Sequence, residues 1–246
     1  MRIKIFFLSM VFSCLSILSS FADDVPTIHP TMTFINKDGV EEENIEFSGS
    51  APLEAKFRAN TEDAYDWSAY YEWRFTKDGE SEPYLIRYEE DTDYTFTDAG
   101  SHTIVLYAIF TQGNDTIAYT QDYWSGADAI KVTINTSKLV MPNAFSPNNG
   151  DTYNNTYRPK EYESLVEFHA TIYNRWGQKL YEWHDPAEEG WDGTYNGKDV
   201  KQGVYFVEVV AKGADGHRYH IRRDVNLLRG YRETEGGGGG TSTTNP

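Results

Sequence analysis

The stretch VMPNAFSPNNGDTYNNTYRP, Val140 to Pro159, decides how this chain is divided. It is crowded with Pro, Asn and Gly, so neither a helix nor an ordinary ladder strand runs through it. It nonetheless sits in the middle of the chain. Read from its residues alone it is a linker, a metal-binding loop or the opening of a second domain.

Charge separates what lies on either side of it. Residues 23–137 hold 23 acidic and 7 basic side chains, a net charge of -16, whereas residues 138–246 hold 15 and 13, a net charge of -2. An acidic first half repels phosphate backbones, which excludes nucleic acid as a partner. At 246 residues the length also suits two domains of about 110 residues better than one. Ahead of both, Arg2 and Lys4 precede an apolar run from Ile5 to Leu18, and Ser20-Phe21-Ala22 offers the small residues of a cleavage site. Residues 1–22 are therefore expected to be a signal peptide and the chain to be exported. The only cysteine, Cys14, would leave with that leader, so the mature chain is expected to rely on its cores without disulfides. No later apolar run approaches the roughly 18 to 20 residues of a membrane span, and no transmembrane segment is expected after the leader.

Short β-branched and aromatic runs recur between turn residues, and no long amphipathic helix pattern interrupts them, which predicts an all-β sandwich fold. Thr103 to Phe110, Ala129 to Ile134, His169 to Tyr173, Gly203 to Val210 and Tyr219 to Leu228 are such runs. Tyr71, Trp73 and Phe75 alternate onto one face of another. Residues 230–246 form an expected flexible tail, since its Gly-rich end carries nothing apolar to bury.

Two resemblances follow from quoted residues. Ser48-Gly49-Ser50-Ala51-Pro52-Leu53, Tyr71-Glu72-Trp73-Arg74-Phe75 and Asp98-Ala99-Gly100-Ser101-His102-Thr103 occur in the order found in the PKD domain, an immunoglobulin-like sandwich of bacterial surface proteins. The family's Trp-Asp-Phe-Gly-Asp-Gly signature is represented only by Trp73-Arg74-Phe75-Thr76-Lys77-Asp78-Gly79. Farther on, five pieces stand in family order: Pro142-Asn143-Ala144-Phe145-Ser146-Pro147-Asn148, Tyr173-Asn174-Arg175-Trp176-Gly177, Trp191-Asp192-Gly193-Thr194-Tyr195-Asn196-Gly197, Gln202-Gly203-Val204-Tyr205 and Val225-Asn226-Leu227-Leu228-Arg229. Together they resemble the gliding motility-associated C-terminal domain, the type B sorting domain of type IX secretion. The resemblance implies that Val140 to Pro159 opens that domain. The expected organisation is a signal peptide at 1–22, a PKD-like sandwich at 23–137, a sorting-type sandwich at 138–229 and a tail at 230–246, that is, two tandem immunoglobulin-like β-sandwiches.

Candidate sites are few. Asn148, Asn149, Asp151, Asn154 and Asn155 supply the oxygen donors that calcium takes, against the alternative that these amides cap their own turns. Calcium is the one cofactor considered; otherwise none is expected. Glu89, Glu90, Asp91 and Asp93 read as a solvated strand edge. His217 and His220, three apart on a strand, should face opposite ways, and the other four histidines are scattered in sequence, which argues against a transition-metal site. Without a mature cysteine or a Gly-x-Ser-x-Gly elbow, enzymatic activity is not expected. Tyr65, Trp67 and Tyr70 are candidate sugar-stacking rings, and Thr116, in Asp115-Thr116-Ile117, is a candidate glycosylation site in a hairpin loop. The sequence reading is an exported envelope or surface protein, at the cell surface or outer membrane, secreted, or in the periplasm. Its expected partners are an envelope or surface protein, a glycan or the secretion machinery, the alternative being an adhesin that retains its C-terminal domain as a structural module.

Overall fold

A computed structural model describes residues 25–36, 38–150 and 154–229; the expected signal peptide and C-terminal tail lie outside the described residues. The first ten strands are β1 (Thr31–Ile35), β2 (Glu41–Asn44), β3 (Glu46–Gly49), β4 (Leu53–Arg58), β5 (Ser68–Lys77), β6 (Leu85–Arg87), β7 (Thr92–Phe96), β8 (Gly100–Gln112), β9 (Asp115–Tyr119) and β10 (Ile130–Ile134). A single helical turn, α1 (Gln121–Trp124), lies between the last two. These strands make two layers, β2-β1-β4-β7 and β3-β10-β8-β5-β6, with β9 also paired to β8. Strict alternation on β4 and β8 sends Leu53, Ala55 and Phe57 from one layer, and Ile104, Leu106, Ala108 and Phe110 from the other, into a shared core. Phe57 crosses between layers to meet Trp73 at 5.7 Å and Phe75 edge-on at 5.1 Å. Trp73 and Phe75 are fully buried and Tyr71 is half-buried, as the alternation predicts.

The remaining strands are β11 (Lys138–Val140), β12 (Ala144–Phe145), β13 (Glu161–Glu163), β14 (Leu165–Tyr173), β15 (Lys179–Trp183), β16 (Thr194–Tyr195), β17 (Lys198–Asp199), β18 (Gly203–Gly213) and β19 (Arg218–Leu227). Five form one sheet in the order β12-β19-β18-β14-β15, and β11-β13 and β16-β17 are separate pairs. One face of the sheet, carrying Ala170, Ile172, Trp183, Val207, Val209 and Val225, is buried. Packed on it are Leu139, Met141, Tyr157 and Trp191, from a short strand and irregular loops, beside Phe145 of β12. The Pro- and Asn-rich stretch after Val140 supplies only the two-residue strand β12 and the isolated Tyr157–Trp191 bridge to backbone pairing, and otherwise packs side chains. The result is an all-β, sandwich-type fold whose second C-terminal layer is thin.

Among the described residues no strand pair joins those up to Ile134 to those from Lys138 on, but the two regions touch closely. Across them the Ala51 amide donates to Ser164 Oγ at 3.2 Å and the Ala99 amide to the Ala214 carbonyl at 3.0 Å, while within the second region the Ala214 amide donates to the Ser164 carbonyl at 2.9 Å. Ala214 itself is buried in the first core. The connection between the halves is pinned as well: Ser137 Oγ donates to Asp215 Oδ1 at 2.8 Å, and Asn135 Nδ2 to Glu163 Oε1 at 2.7 Å.

Candidate functional site

The five motif pieces converge on one end of the C-terminal sheet. Register puts Tyr173 opposite Phe206, Phe206 opposite Asp224, Gly203 opposite Leu227, and Phe145 beside Leu227, all at the end away from Leu165, Gly213 and Arg218. The latter end, through Ser164, Ala214 and Asp215, is the one that meets the N-terminal half. The motif end is thus distal and displayed.

Its interior is a cluster of rings. Phe145 lies 5.3 Å from Trp191 and 5.9 Å from Tyr157, and Trp191 meets Tyr205 edge-on at 5.0 Å. The polar ends of these rings are satisfied: Trp191 Nε1 donates to the Thr194 carbonyl at 2.8 Å and Tyr157 Oη to the Pro142 carbonyl at 3.0 Å. Burial pushes the Tyr157 phenol well above its ordinary range, so it stays a donor. The Tyr157 and Trp191 backbones also exchange two hydrogen bonds, of 2.8 and 3.1 Å. That approach requires Gly190, at φ +77°, because a Cβ there would stand 2.3 Å from the Tyr157 carbonyl oxygen.

Turn chemistry shapes the rim. Asp192 Oδ1 accepts from the Thr194 amide at 2.9 Å and from its hydroxyl at 2.8 Å. Asn196 and Gly197, at φ 52° and 72°, close the miniature β16–β17 hairpin as a two-residue turn of the Asn-Gly kind. Arg229 then clamps three pieces together: its Nη2 donates to the Gly193 carbonyl at 2.8 Å, its Nε to the Val200 carbonyl at 2.9 Å, and its amide to Gln202 Oε1 at 3.2 Å. The remaining piece is the tip of the β14–β15 hairpin, where Asn174 Oδ1 accepts from the amides of Trp176 and Gln178 at 2.9 and 3.1 Å. Trp176 itself is 80% exposed, with the Arg175 guanidinium 4.8 Å over its ring. Four pieces are therefore internal scaffolding, and the fifth presents a cation and an indole to solvent.

Comparison with known proteins assigns this region. Residues 139–220 match the CHU_C Type IX secretion signal domain. A secretion signal domain of this kind implies export to the cell surface or release, and a relation to the secretion machinery. The match spans the aromatic cluster, the Arg175–Trp176 tip and most of the sheet, and stops short of Arg229. One solved structure, dimeric latent PorU from Porphyromonas gingivalis, aligns with 85% of this chain at 10% identity and a TM-score of 0.23. That alignment covers 20% of the PorU chain. Comparison with curated proteins found no match.

Other sequence candidates fall differently. Of the calcium set, Asp151 lies outside the described residues. Asn148 and Asn154 are exposed at φ 58° and 55°, and a 2.8 Å bond from the Ser146 amide to the Asn154 carbonyl closes the loop. Asn149 and Asn155 are half-buried. Trp67 is not an exposed ring: it packs against the first core, which leaves Tyr65, 94% exposed, without it. Tyr70 instead pairs with Tyr88 at 6.0 Å and donates to Glu72. Thr116 is exposed but stands in β9 opposite Thr111, because Gly113 and Asn114 take the reversal and the ladder runs up to Asp115. Glu89, Glu90 and Asp91 form an exposed bend and Asp93 stands exposed on the edge strand β7, and Asp91 holds the Ala59 amide and Arg58 at 3.1 and 3.2 Å.

The histidines are not all scattered. His169 on β14 and His184, one residue past β15, stack at 4.6 Å with an interplanar angle of 4°. His169 Nε2 is 2.7 Å from Glu182 Oε1. Counting back from a reversal at Asn174–Gly177 would set residue 169 opposite residue 182; the observed ladder, with its bulge at Ile172/Tyr173, brings residue 184 there instead.

Proposed function

We propose that this is a non-enzymatic, exported cell-envelope or surface protein, in which residues 138–229 act as a sorting or anchoring module for type IX secretion. Residues 23–137 are, in this reading, a PKD-like spacer or adhesion module. The observation that carries it is the match of residues 139–220 to the secretion signal domain. The placement of the motif pieces at the distal end supports it, because a sorting signal must remain accessible while its passenger is folded.

Carboxylate chemistry favours a non-catalytic reading. Glu161, Glu182 and Glu208 are each held below the ordinary range by hydrogen bonds from neighbouring side chains: Lys138, then Lys179 ahead of His169, then His220 ahead of Arg222. Asp215 is lowered by the Ser137 hydroxyl first. Each is thereby fixed as an anion, the opposite of what a general acid needs.

The test is intact mass and surface-protease accessibility of the protein recovered from its native cells, compared with a chain ending at Ser137. Surface delivery of the full chain and its failure in the truncated one support the reading; equal delivery of both overturns it. Loss of the C-terminal region from the delivered product would make it a cleaved tag, and retention would make it an anchor. The Trp176→Ala chain should fold as stably as the parent, within about 0.5 kcal/mol, yet reach the surface less well.

A further inference from the structure

We infer that His169, Glu182 and His184 form a binding site for a divalent transition-metal ion of the zinc class on the outer face of the C-terminal sheet. One ligand atom from each, an imidazole nitrogen or a carboxylate oxygen, lies within 4.8 Å of the other two. The scaffold is regular: antiparallel register sets Ala170 opposite Trp183 and Thr171 opposite Glu182, so His169 and His184 face each other across the ladder, with Glu182 on the same outward side. All three project from the face opposite the core, and their donors need no backbone movement to meet.

Donor chemistry selects the ion. Two imidazoles and one carboxylate suit zinc, copper and nickel, whereas calcium and magnesium take oxygen alone. Around a tetrahedral zinc, with bonds of about 2.0–2.2 Å, donor atoms stand roughly 3.3 Å apart. The His169–Glu182 pair at 2.7 Å is already inside that spacing. Parallel rings cannot aim their in-plane lone pairs at one point, so binding turns one imidazole out of the stack by side-chain rotation. Glu182 is prepared for the role: its second oxygen, Oε2, accepts from Lys179 Nζ at 2.5 Å, which fixes the carboxylate and leaves Oε1 toward the histidines. Three protein donors leave a fourth position to water.

The same face holds a contrast. His220 Nε2 is 3.0 Å from Glu208 Oε1, but Arg222 binds that same oxygen through Nε at 2.9 Å and Nη2 at 2.6 Å. There Arg222 takes the same oxygen that faces His220, whereas Lys179 takes the other oxygen of Glu182, and among the described residues His220 is not part of a metal cluster.

The experiment is calorimetric titration of the full chain with zinc chloride in a non-chelating buffer, with cobalt(II) as a spectroscopic probe. One saturable site per chain is expected, with cobalt showing the intense visible bands of a tetrahedral ion. His169→Gln and His184→Gln should each weaken binding at least about tenfold, while His220→Gln leaves it unchanged. All three positions are exposed enough for folding to survive, which circular dichroism checks. A parent chain that takes up no zinc overturns the inference before any variant is made. Uptake indifferent to His169→Gln and His184→Gln overturns it as well.

Discussion

Two glycines with the same φ of +77° separate steric necessity from conformational preference. At Gly177 a Cβ would meet nothing within 4 Å, whereas at Gly190 it would meet the Tyr157 carbonyl oxygen at 2.3 Å. Gly177→Ala should therefore cost only the left-handed penalty, about 1–2 kcal/mol. Gly190→Ala adds a backbone clash and must part the Tyr157–Trp191 bridge, so its loss should exceed that of Gly177→Ala by at least ~2 kcal/mol, measured by denaturant unfolding. The sequence made Gly177 legible, because it follows Asn-Arg-Trp in a reversal between strand runs. Gly190 was not, since its requirement comes from a backbone 33 residues earlier in the chain, and no local pattern reports that contact. His102 carries a second consequence at this scale. It is 4% exposed, and its Nδ1 lies 3.1 Å from Tyr84 Oη and its Nε2 3.3 Å from the Asp98 carbonyl. A carbonyl only accepts, so Nε2 carries the proton and Nδ1 accepts from the tyrosine. Burial lowers the affinity of this ring for a second proton. The unfolded chain, with an ordinary imidazole near 6.5, then protonates first as pH falls. Stability attributable to His102 is full above that value and declines below it, down to the point where the folded ring protonates. Melting temperature between pH 7 and 5 should fall less steeply in His102→Gln, whose amide can keep both partners; an equal slope would refute this.

At the scale of strands and loops, alternation was the reliable signal. β8 buries every second residue from His102 to Phe110, and the sequence exposes that pattern directly. Parallel pairings were not legible: β3 with β10 and β12 with β19 join segments far apart in the chain, through hydrogen bonds any residue could make. Thr116 was misplaced for a local reason. Its local turn residues are ambiguous until β9 is seen to extend the β8 ladder. The rim of the motif end shows what long-range contacts add. Its loops are short and rich in turn residues, yet what holds them to the sheet is Arg229, reaching back to Gly193, Val200 and Gln202. Arg229→Ala should remove two charge-assisted bonds to carbonyls, at a cost of about 2–3 kcal/mol, felt mostly locally. Limited proteolysis should then cut first between residues 193 and 202. A variant as resistant as the parent would show that the loop holds without its clamp.

For the whole molecule, the contact between the two halves decides whether they behave as one body. Ala214 belongs by sequence to the β18–β19 turn of the secretion signal region, and by packing to the core of the other half. Its amide and carbonyl are spoken for by Ser164 and Ala99, and the neighbouring Asp215 holds Ser137 in the connection. A joint made of the Ala99–Ala214 backbone bond and the Ala51 bond to Ser164 Oγ, around a buried alanine, is short-ranged and directional, so it couples the halves without needing a large apolar area. This arrangement turns the motif end, with Trp176 at its tip, away from the N-terminal half, so it stays accessible with both halves folded. Ala214→Glu places a charge in the first core at a position that is 7% exposed. Both halves retain their own sheets, so the substitution should separate them rather than unfold either. Calorimetry of the parent should show one coupled transition, and Ala214→Glu two, with a larger radius of gyration by X-ray scattering. If the variant still melts in a single transition at the parent's size, the halves are coupled through the pinned 135–137 connection, and substitution of Asp215 becomes the change that separates them.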